Sequence, residues 1–203
     1  MDFSAFLNFD AAVFQWVEQL HNFAIDGAIG AVLVFLTKLF DTGFIWMIVA
    51  AILFCFRKTR RAGVTMAAAL VVMVVCNNLV LKNLFARPRP FDLDWPAMKN
   101  GWQYVYPQLV DKPSSFSFPS GHASSGFAAA TGLCVSKKPY LFIPGILLAA
   151  IVAFSRIYVE VHYPTDVIFG ALLGIVYGLI AVFVCRLLIK IVNEKTKLKL
   201  FRE

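Results

Sequence analysis

Residues 155–166 read Ser155-Arg156-Ile157-Tyr158-Val159-Glu160-Val161-His162-Tyr163-Pro164-Thr165-Asp166, a polar stretch between two strongly apolar segments. A histidine four residues before a carboxylate and six after an arginine has the makings of a reactive site at a membrane surface. The plain alternative is a loop in which His162 and Asp166 merely satisfy each other. Two further stretches bear on the choice: Lys82-Asn83-Leu84-Phe85-Ala86-Arg87-Pro88-Arg89-Pro90, and Pro119-Ser120-Gly121-His122 at the start of an apolar segment.

Each residue type has a physical use. Lys82 offers a compact charge and Arg89 a planar fork, both suited to phosphate oxygens. Pro88 and Pro90 end a helix and stiffen the backbone around Arg89. Pro119 suits a first helical turn, where its missing N–H costs nothing. The free N–H groups around Ser120, Gly121 and His122 then face outward at the positive end of the helix dipole, an anion site that Gly121 lets a ligand approach closely. Pro164 likewise suits the first turn of the last apolar segment and places Asp166 just inside it. A carboxylate there can accept Nδ1–H of His162 and leave Nε2 free as nucleophile or base. With His122 as a separate acid, the set describes phosphoryl transfer through a covalent intermediate.

Other chemistries fit less well. Two histidines and one carboxylate among several cations make a poor divalent-metal site. A transporter or channel tends to carry ionisable groups near mid-membrane, where this chain has chiefly Asn77 and Asn78. A binding-only anion receptor could use the arginines but has little use for a His–Asp pair.

The elements that must position these groups follow from composition. Of 203 residues, 60% are hydrophobic and 15% charged, with mean hydropathy +0.73, against about 25% charged in a soluble domain. Apolar runs such as 63–81 and 167–189 approach the roughly 20 residues that cross a bilayer. The expected fold is therefore all-α: a single domain over 1–203, with an amphipathic interfacial helix in 1–22, six transmembrane helices within 23–190 and a basic cytoplasmic tail in 191–203. The six segments fall near 23–40, 42–58, 63–84, 119–135, 139–157 and 166–190. The N-terminal stretch alternates Phe3, Phe6, Leu7, Phe14, Val17 and Leu20 at roughly helical spacing and is too polar to span. With Lys and Arg first appearing at Lys38, it lacks the basic start of a cleaved signal and is treated as mature.

The net charge of +7 is not a nucleic-acid signal, because the positive residues cluster beside apolar segments. The runs at 57–61, at Lys137-Lys138 and from Lys190 onward fall on one side of six alternating helices, which the positive-inside rule makes cytoplasmic together with both termini. Lys82, Arg87, Arg89, His122, Arg156, His162 and Asp166 then all lie on the non-cytoplasmic side. Cations there run against the orientation rule, and a bound anion would explain them. Gly170, Gly174 and Gly178 read as packing inside the bundle in preference to a homodimer face, and the oligomeric state stays open. The aromatics of the long 85–118 loop suit an interfacial belt or a lip at a lipid-accessible site. Cys55, Cys76, Cys134 and Cys185 read as small buried residues, Arg87 as a loop-surface charge, and His21 as interfacial.

Lys82-x6-Arg89-Pro90, Pro119-Ser120-Gly121-His122 and Ser155-Arg156-x5-His162-x3-Asp166 together resemble the three-part signature of the type 2 phosphatidic acid phosphatase (PAP2) superfamily, and the six-helix plan is similar to its membrane branch. The small size and short loops look most like bacterial undecaprenyl-diphosphate phosphatases; phosphatidic acid or phosphatidylglycerophosphate phosphatases are the second branch to consider. A lipid-phosphate binder or flippase on the same scaffold is the non-enzymatic alternative. The resemblance implies that His162 becomes a phosphohistidine, oriented by Asp166. His122 would protonate the leaving oxygen, and Lys82, Arg89, Arg156, Ser120 and the Gly121 N–H would hold the phosphoryl oxygens. It implies no metal and no other cofactor, and as partners a lipid phosphate and the bilayer.

Overall fold

The computed structural model describes residues 4–22, 26–95 and 102–196, and the regular structure among them is helical. The helices are α1 (Ser4–Asn22), α2 (Asp26–Leu39), α3 (Phe44–Cys55), α4 (Arg60–Met73), α5 (Lys82–Phe85), α6 (Gly121–Leu133), α7 (Pro139–Tyr158) and α8 (Pro164–Thr196). Between α4 and α5 the chain continues through a wide π-helical stretch, Val74–Leu81, whose end donates Lys82 N–H to the Asn77 carbonyl. The start of the first expected segment, 23–25, and the end of the expected tail, 197–203, lie outside the described residues.

The centre of the bundle is α6, packed against α8, α7 and α4. Its sequence is nearly all small residues, Gly121-His-Ala-Ser-Ser-Gly-Phe-Ala-Ala-Ala-Thr-Gly-Leu133, so neighbouring backbones approach closely and gain dense van der Waals contact. A Cβ on Gly126 would meet the Ala149 methyl at 3.0 Å, and one on Gly132 the Met66 backbone at 2.9 Å. The Gly170, Gly174 and Gly178 stripe of α8 faces α6: added Cβ atoms would stand 2.8 Å from the Ser120 carbonyl and 2.5 Å from that of Ser124, and against Thr131. These glycines serve packing within the chain, and they fix the end of α8 that carries Asp166.

Outside this core the surface is greasy. Phe35, Phe44, Val71, Leu79, Leu84, Leu147 and Phe183 are each more than half exposed, which only a hydrocarbon solvent makes favourable. Individually, three helical stretches are long and apolar enough to cross a bilayer: Arg60–Asp92, Pro139–Tyr158 and Pro164–Val192. Gly27–Leu39 and Phe44–Cys55 pass only as a pair, bent by 69°. At 13 residues, α6 is about 20 Å long against a hydrocarbon core of about 30 Å. The expected segments are thus helical, while six independent crossings are not evident from length and composition.

Several expectations change. Pro119 is not in the first turn of α6: Ser120 is the N-cap residue and Gly121 begins the helix. Pro164 does open α8. Among the cysteines only Cys185 is buried, whereas Cys55 is exposed and Cys76 and Cys134 are intermediate, because they lie on outward helix faces. The loop aromatics Trp95, Trp102 and Tyr104 cluster with Phe14 of α1 and Tyr163 instead of forming a free lip. His21 does not line the cavity: its ring is edge-on to Tyr158, with Nε2 3.1 Å from the Tyr158 carbonyl.

Candidate active site

The three polar stretches meet at one end of the bundle around a cavity of about 620 Å³. Lys82, Arg89, Gly121, His122, Arg156 and His162 line it, together with Thr37, Asp41 and Asn78. Asp166 lies behind the wall, fully buried, and Ser120 is buried beside Gly121. Helix ends supply nearly all of these groups, so the rigid bundle fixes their separations.

His162 sits in the short loop between α7 and α8, after Glu160, which adopts φ +54°. That left-handed conformation is costly for a side-chain-bearing residue and marks a tightly determined turn. His162 is 2% exposed. Arg89 Nη1 stands 3.4 Å from its Nε2; arginine can only donate, so the contact suits an unprotonated Nε2. On the other side of the ring, Nδ1 is 3.6 Å from Asp166 Oδ2 and 3.4 Å from Ser117 Oγ. Burial first, then the charges of Arg89, Lys82 and Arg156, hold the imidazole well below its usual pKa. These surroundings favour the neutral ring, and the Asp166 carboxylate beside Nδ1 favours the tautomer that leaves the lone pair on Nε2 at the cavity wall.

Ser117 had no part in the sequence-based expectation. Its hydroxyl donates to Asp166 Oδ2, and its N–H to the Arg87 carbonyl at 2.9 Å, so the end of the 85–118 loop is built into the support of the His–Asp pair. Its position two residues before Pro119, in Phe116-Ser117-Phe118-Pro119-Ser120, is the one sequence signal that marks it. Ser117→Ala should lower kcat about 10-fold, the usual cost of losing an outer-shell orienting group, with KM for the lipid nearly unchanged. Steady-state phosphate release measures both.

Arg87 is the clear correction. Expected at the loop surface, it is 2% exposed, with Nη1 2.6 Å from Asp166 Oδ1 and Nη2 2.9 Å from Asp10 Oδ2. Its guanidinium lies over the Tyr163 ring at 3.7 Å. Ala86, at φ +46°, turns the chain out of α5 and directs Arg87 inward.

The remaining groups have the character of an anion cradle. Lys82 Nζ donates to the Phe116 carbonyl at 2.7 Å, and Arg89 to the carbonyls of Ser115 and Val161, each at 2.7 Å. Arg156 Nη1 donates to Thr37 Oγ1, while Arg156 Nε and Ser120 Oγ are buried with no hydrogen-bond partner among the described residues. Asn77 and Asn78 support the cradle: Ser124 Oγ donates to Asn77 Oδ1 at 2.9 Å, and a Cβ on Gly121 would meet Asn78 Oδ1 at 3.6 Å. His122 Nε2 is 3.0 Å from the Thr37 carbonyl, which requires the proton on Nε2, and 3.8 Å from Asp41 Oδ1. The chemistry available is attack by Nε2 of one histidine on an anion held by cations, with a second N–H nearby.

Glu160 adds a pH dependence to the loop. Burial, reinforced by Glu18, pushes its carboxyl up to about 8, so the folded protein binds a proton that the unfolded chain releases above about 4.5. Its stabilising contribution is complete below about pH 4.5 and fades as pH rises through about 8. The unfolding midpoint in detergent should fall across that window in the wild type and be flatter in Glu160→Gln.

Fold and site together define a helical membrane phosphatase with a cation-lined cavity at one end of its bundle. The chain belongs to the PAP2 superfamily, whose family model matches residues 58–189. It is 35% identical over 156 residues to an undecaprenyl-diphosphatase of Sulfolobus acidocaldarius, covering 77% of this chain and 70% of that protein. It is 38% identical over 124 residues to a decaprenylphosphoryl-5-phosphoribose phosphatase of Mycobacterium tuberculosis, 61% of each chain. The crystal structure of LpxE from Aquifex aeolicus superposes with a TM-score of 0.63 at 26% identity, over 85% of this chain and 94% of that one.

Proposed function

We propose that the chain is an integral membrane enzyme that hydrolyses undecaprenyl diphosphate, or a closely similar polyprenyl diphosphate, to the monophosphate and inorganic phosphate without a metal. The observation that carries the chemistry is Nε2 of His162, 3.4 Å from the Arg89 guanidinium, at the wall of a cavity lined by Lys82, Arg89 and Arg156. Nε2 attacks the terminal phosphorus and the bond to the bridging oxygen breaks. His122, protonated on both ring nitrogens once the phosphate anion stands beside it, gives its Nε2 proton to that oxygen and is left as the neutral imidazole carrying Nδ1–H, which requires the ring to turn from Thr37. A water, deprotonated by His122, then attacks the phosphohistidine, releasing phosphate and regenerating neutral His162. The cradle cations, Ser120 and the Gly121 N–H stabilise the charge that builds on the equatorial oxygens.

A second cavity supports a lipid substrate. An apolar groove of about 290 Å³, lined by Met47, Leu70, Val71, Met73, Val74 and Val75 with Gly43, shares Gly43 and Met73 with the phosphate cavity. A hydrocarbon chain lying there has its headgroup at the cations. The polyprenyl preference is supported by relatives whose names carry undecaprenyl and decaprenyl substrates. In this reading the polypeptide crosses the membrane six times, both termini are cytoplasmic, α1 lies at the interface, and the cavity opens on the non-cytoplasmic face.

The test is phosphate release by purified protein in detergent with chelator present, comparing undecaprenyl diphosphate, phosphatidic acid and phosphatidylglycerophosphate. The highest kcat/KM on the diphosphate is expected. A clear preference for either glycerolipid moves the enzyme to the other branch, and no release from any of the three contradicts the proposal.

A further inference from the structure

Asp10 is an acid on the buried face of an otherwise amphipathic helix. It shares that face with Phe14 and Val17, and its exposure is 0%. Both carboxylate oxygens are engaged. Oδ1 accepts the Thr165 N–H at 2.9 Å, one of the first donors of α8 that the helix itself cannot satisfy. Oδ2 accepts the Thr165 hydroxyl and Arg87 Nη2, each at 2.9 Å. Asp10 therefore caps α8 from another helix, at a helix N-terminus where a negative charge is favoured. The other guanidinium nitrogen of Arg87, Nη1, reaches Thr165 Oγ1 at 2.8 Å and Asp166 Oδ1 at 2.6 Å. Its flat fork matches two carboxylates at once, a geometry lysine cannot reproduce. Asp166 in turn faces His162 Nδ1.

We infer that Asp10 of α1, acting through Arg87, is a positioning residue that sets where the Asp166 carboxylate stands against His162, so that the docked N-terminal helix is part of the catalytic apparatus. The role rests on His162 being the nucleophile. Arg87 balanced between two carboxylates leaves Asp166 Oδ2 to Ser117, the Tyr163 N–H and the imidazole. Without the charge on Asp10, Arg87 keeps Asp166 of these two carboxylates and draws it toward itself, away from Nδ1. An outer-shell partner of this kind typically contributes 10–100-fold to activity, since small misplacements of reacting groups are costly.

The decisive variant is Asp10→Asn, which keeps an amide oxygen for the Thr165 N–H, removes the charge and sets an NH₂ where Oδ2 received Arg87 Nη2. The full chain in detergent micelles is assayed for phosphate release from undecaprenyl diphosphate. In parallel, the histidine ring nitrogens are recorded by NMR of protein labelled with ¹⁵N-histidine; with three histidines in the chain, His162→Gln assigns the signal. The expected result is a kcat about 10-fold lower, an unchanged KM, and a displaced His162 Nδ1 resonance. Arg87→Lys should show the same pair of changes and serves if Asp10→Asn does not fold. Unchanged kcat and an unchanged Nδ1 resonance overturn the inference. So does a lower unfolding temperature with the Nδ1 resonance in place, because Asp10 then only docks α1. If the wild type releases no phosphate from any lipid, the assigned function fails, yet a displaced Nδ1 resonance in Asp10→Asn still supports the coupling.

Discussion

His162→Ala should lose phosphate release by roughly 10⁴-fold or more while still binding the lipid substrate. Removing a nucleophile costs at least what removing an acid or base does, about 10²–10⁴, and in a concerted site the loss approaches that of the whole constellation. Binding should survive because the cradle does not lean on this ring. Arg89 is held by the carbonyls of Ser115 and Val161, and Lys82 by that of Phe116; the contacts of His162 itself are at 3.4 Å or beyond. The variant should therefore fold, with an unfolding temperature close to the wild type, and compete for substrate in a mixed assay. Residual turnover above about a hundredth of wild type, the smallest loss expected for an acid or base, would mean that another group attacks phosphorus.

Asp166→Asn should cost about 10³–10⁴-fold in kcat, the scale seen when a triad carboxylate becomes an amide and selects the wrong histidine tautomer. Oδ2 receives the Ser117 hydroxyl and the Tyr163 N–H and faces Nδ1. An amide NH₂ placed there would present donors to donors. The favourable escape is an imidazole with its lone pair on Nδ1 and its proton on Nε2, which removes the nucleophile. If instead the amide oxygen turns to that side, its NH₂ meets the Arg87 guanidinium. Either way Arg87 loses the Asp166 carboxylate. Breaking a buried pair costs about 3–5 kcal/mol, and the partner remaining at Asp10 favours the lower end, so a lower unfolding temperature should accompany the kinetic loss. Since Asp166 acts through His162, the His162→Ala/Asp166→Asn double variant should be no slower than His162→Ala alone.

The cavity was largely legible in the sequence, and its support was not. Lys82, Arg89, Gly121, His122, Arg156 and His162 belong to short motifs at helix ends, where residue type and order state the chemistry. The structure brings all six to one cavity with Asp166 behind His162. Arg87 and Asp10 meet across 77 positions, and Asp10 and Thr165 across 155, so no local spacing announces them. One trace existed: Asp10 falls on the same helical stripe as Phe14 and Val17, and an acid on an apolar stripe needs a buried partner. Pairing it with Arg87, the arginine of the 85–118 loop outside the motif positions, would have placed both. Whether the short α6 crosses was not legible for a different reason. An apolar run gives hydrophobicity, but whether a helix crosses the bilayer or is enclosed by its neighbours depends on packing, and the alanines and glycines of α6 serve enclosure.

The most direct test of the account is a base-quenched single turnover with undecaprenyl diphosphate labelled in its terminal phosphate, followed by peptide mapping under conditions that preserve phosphohistidine. The account predicts label on the peptide containing His162, appearing before free phosphate and accumulating in His122→Ala if that variant slows the hydrolytic step. Free phosphate appearing with no protein-bound label at any time, or label on His122 instead, would contradict it.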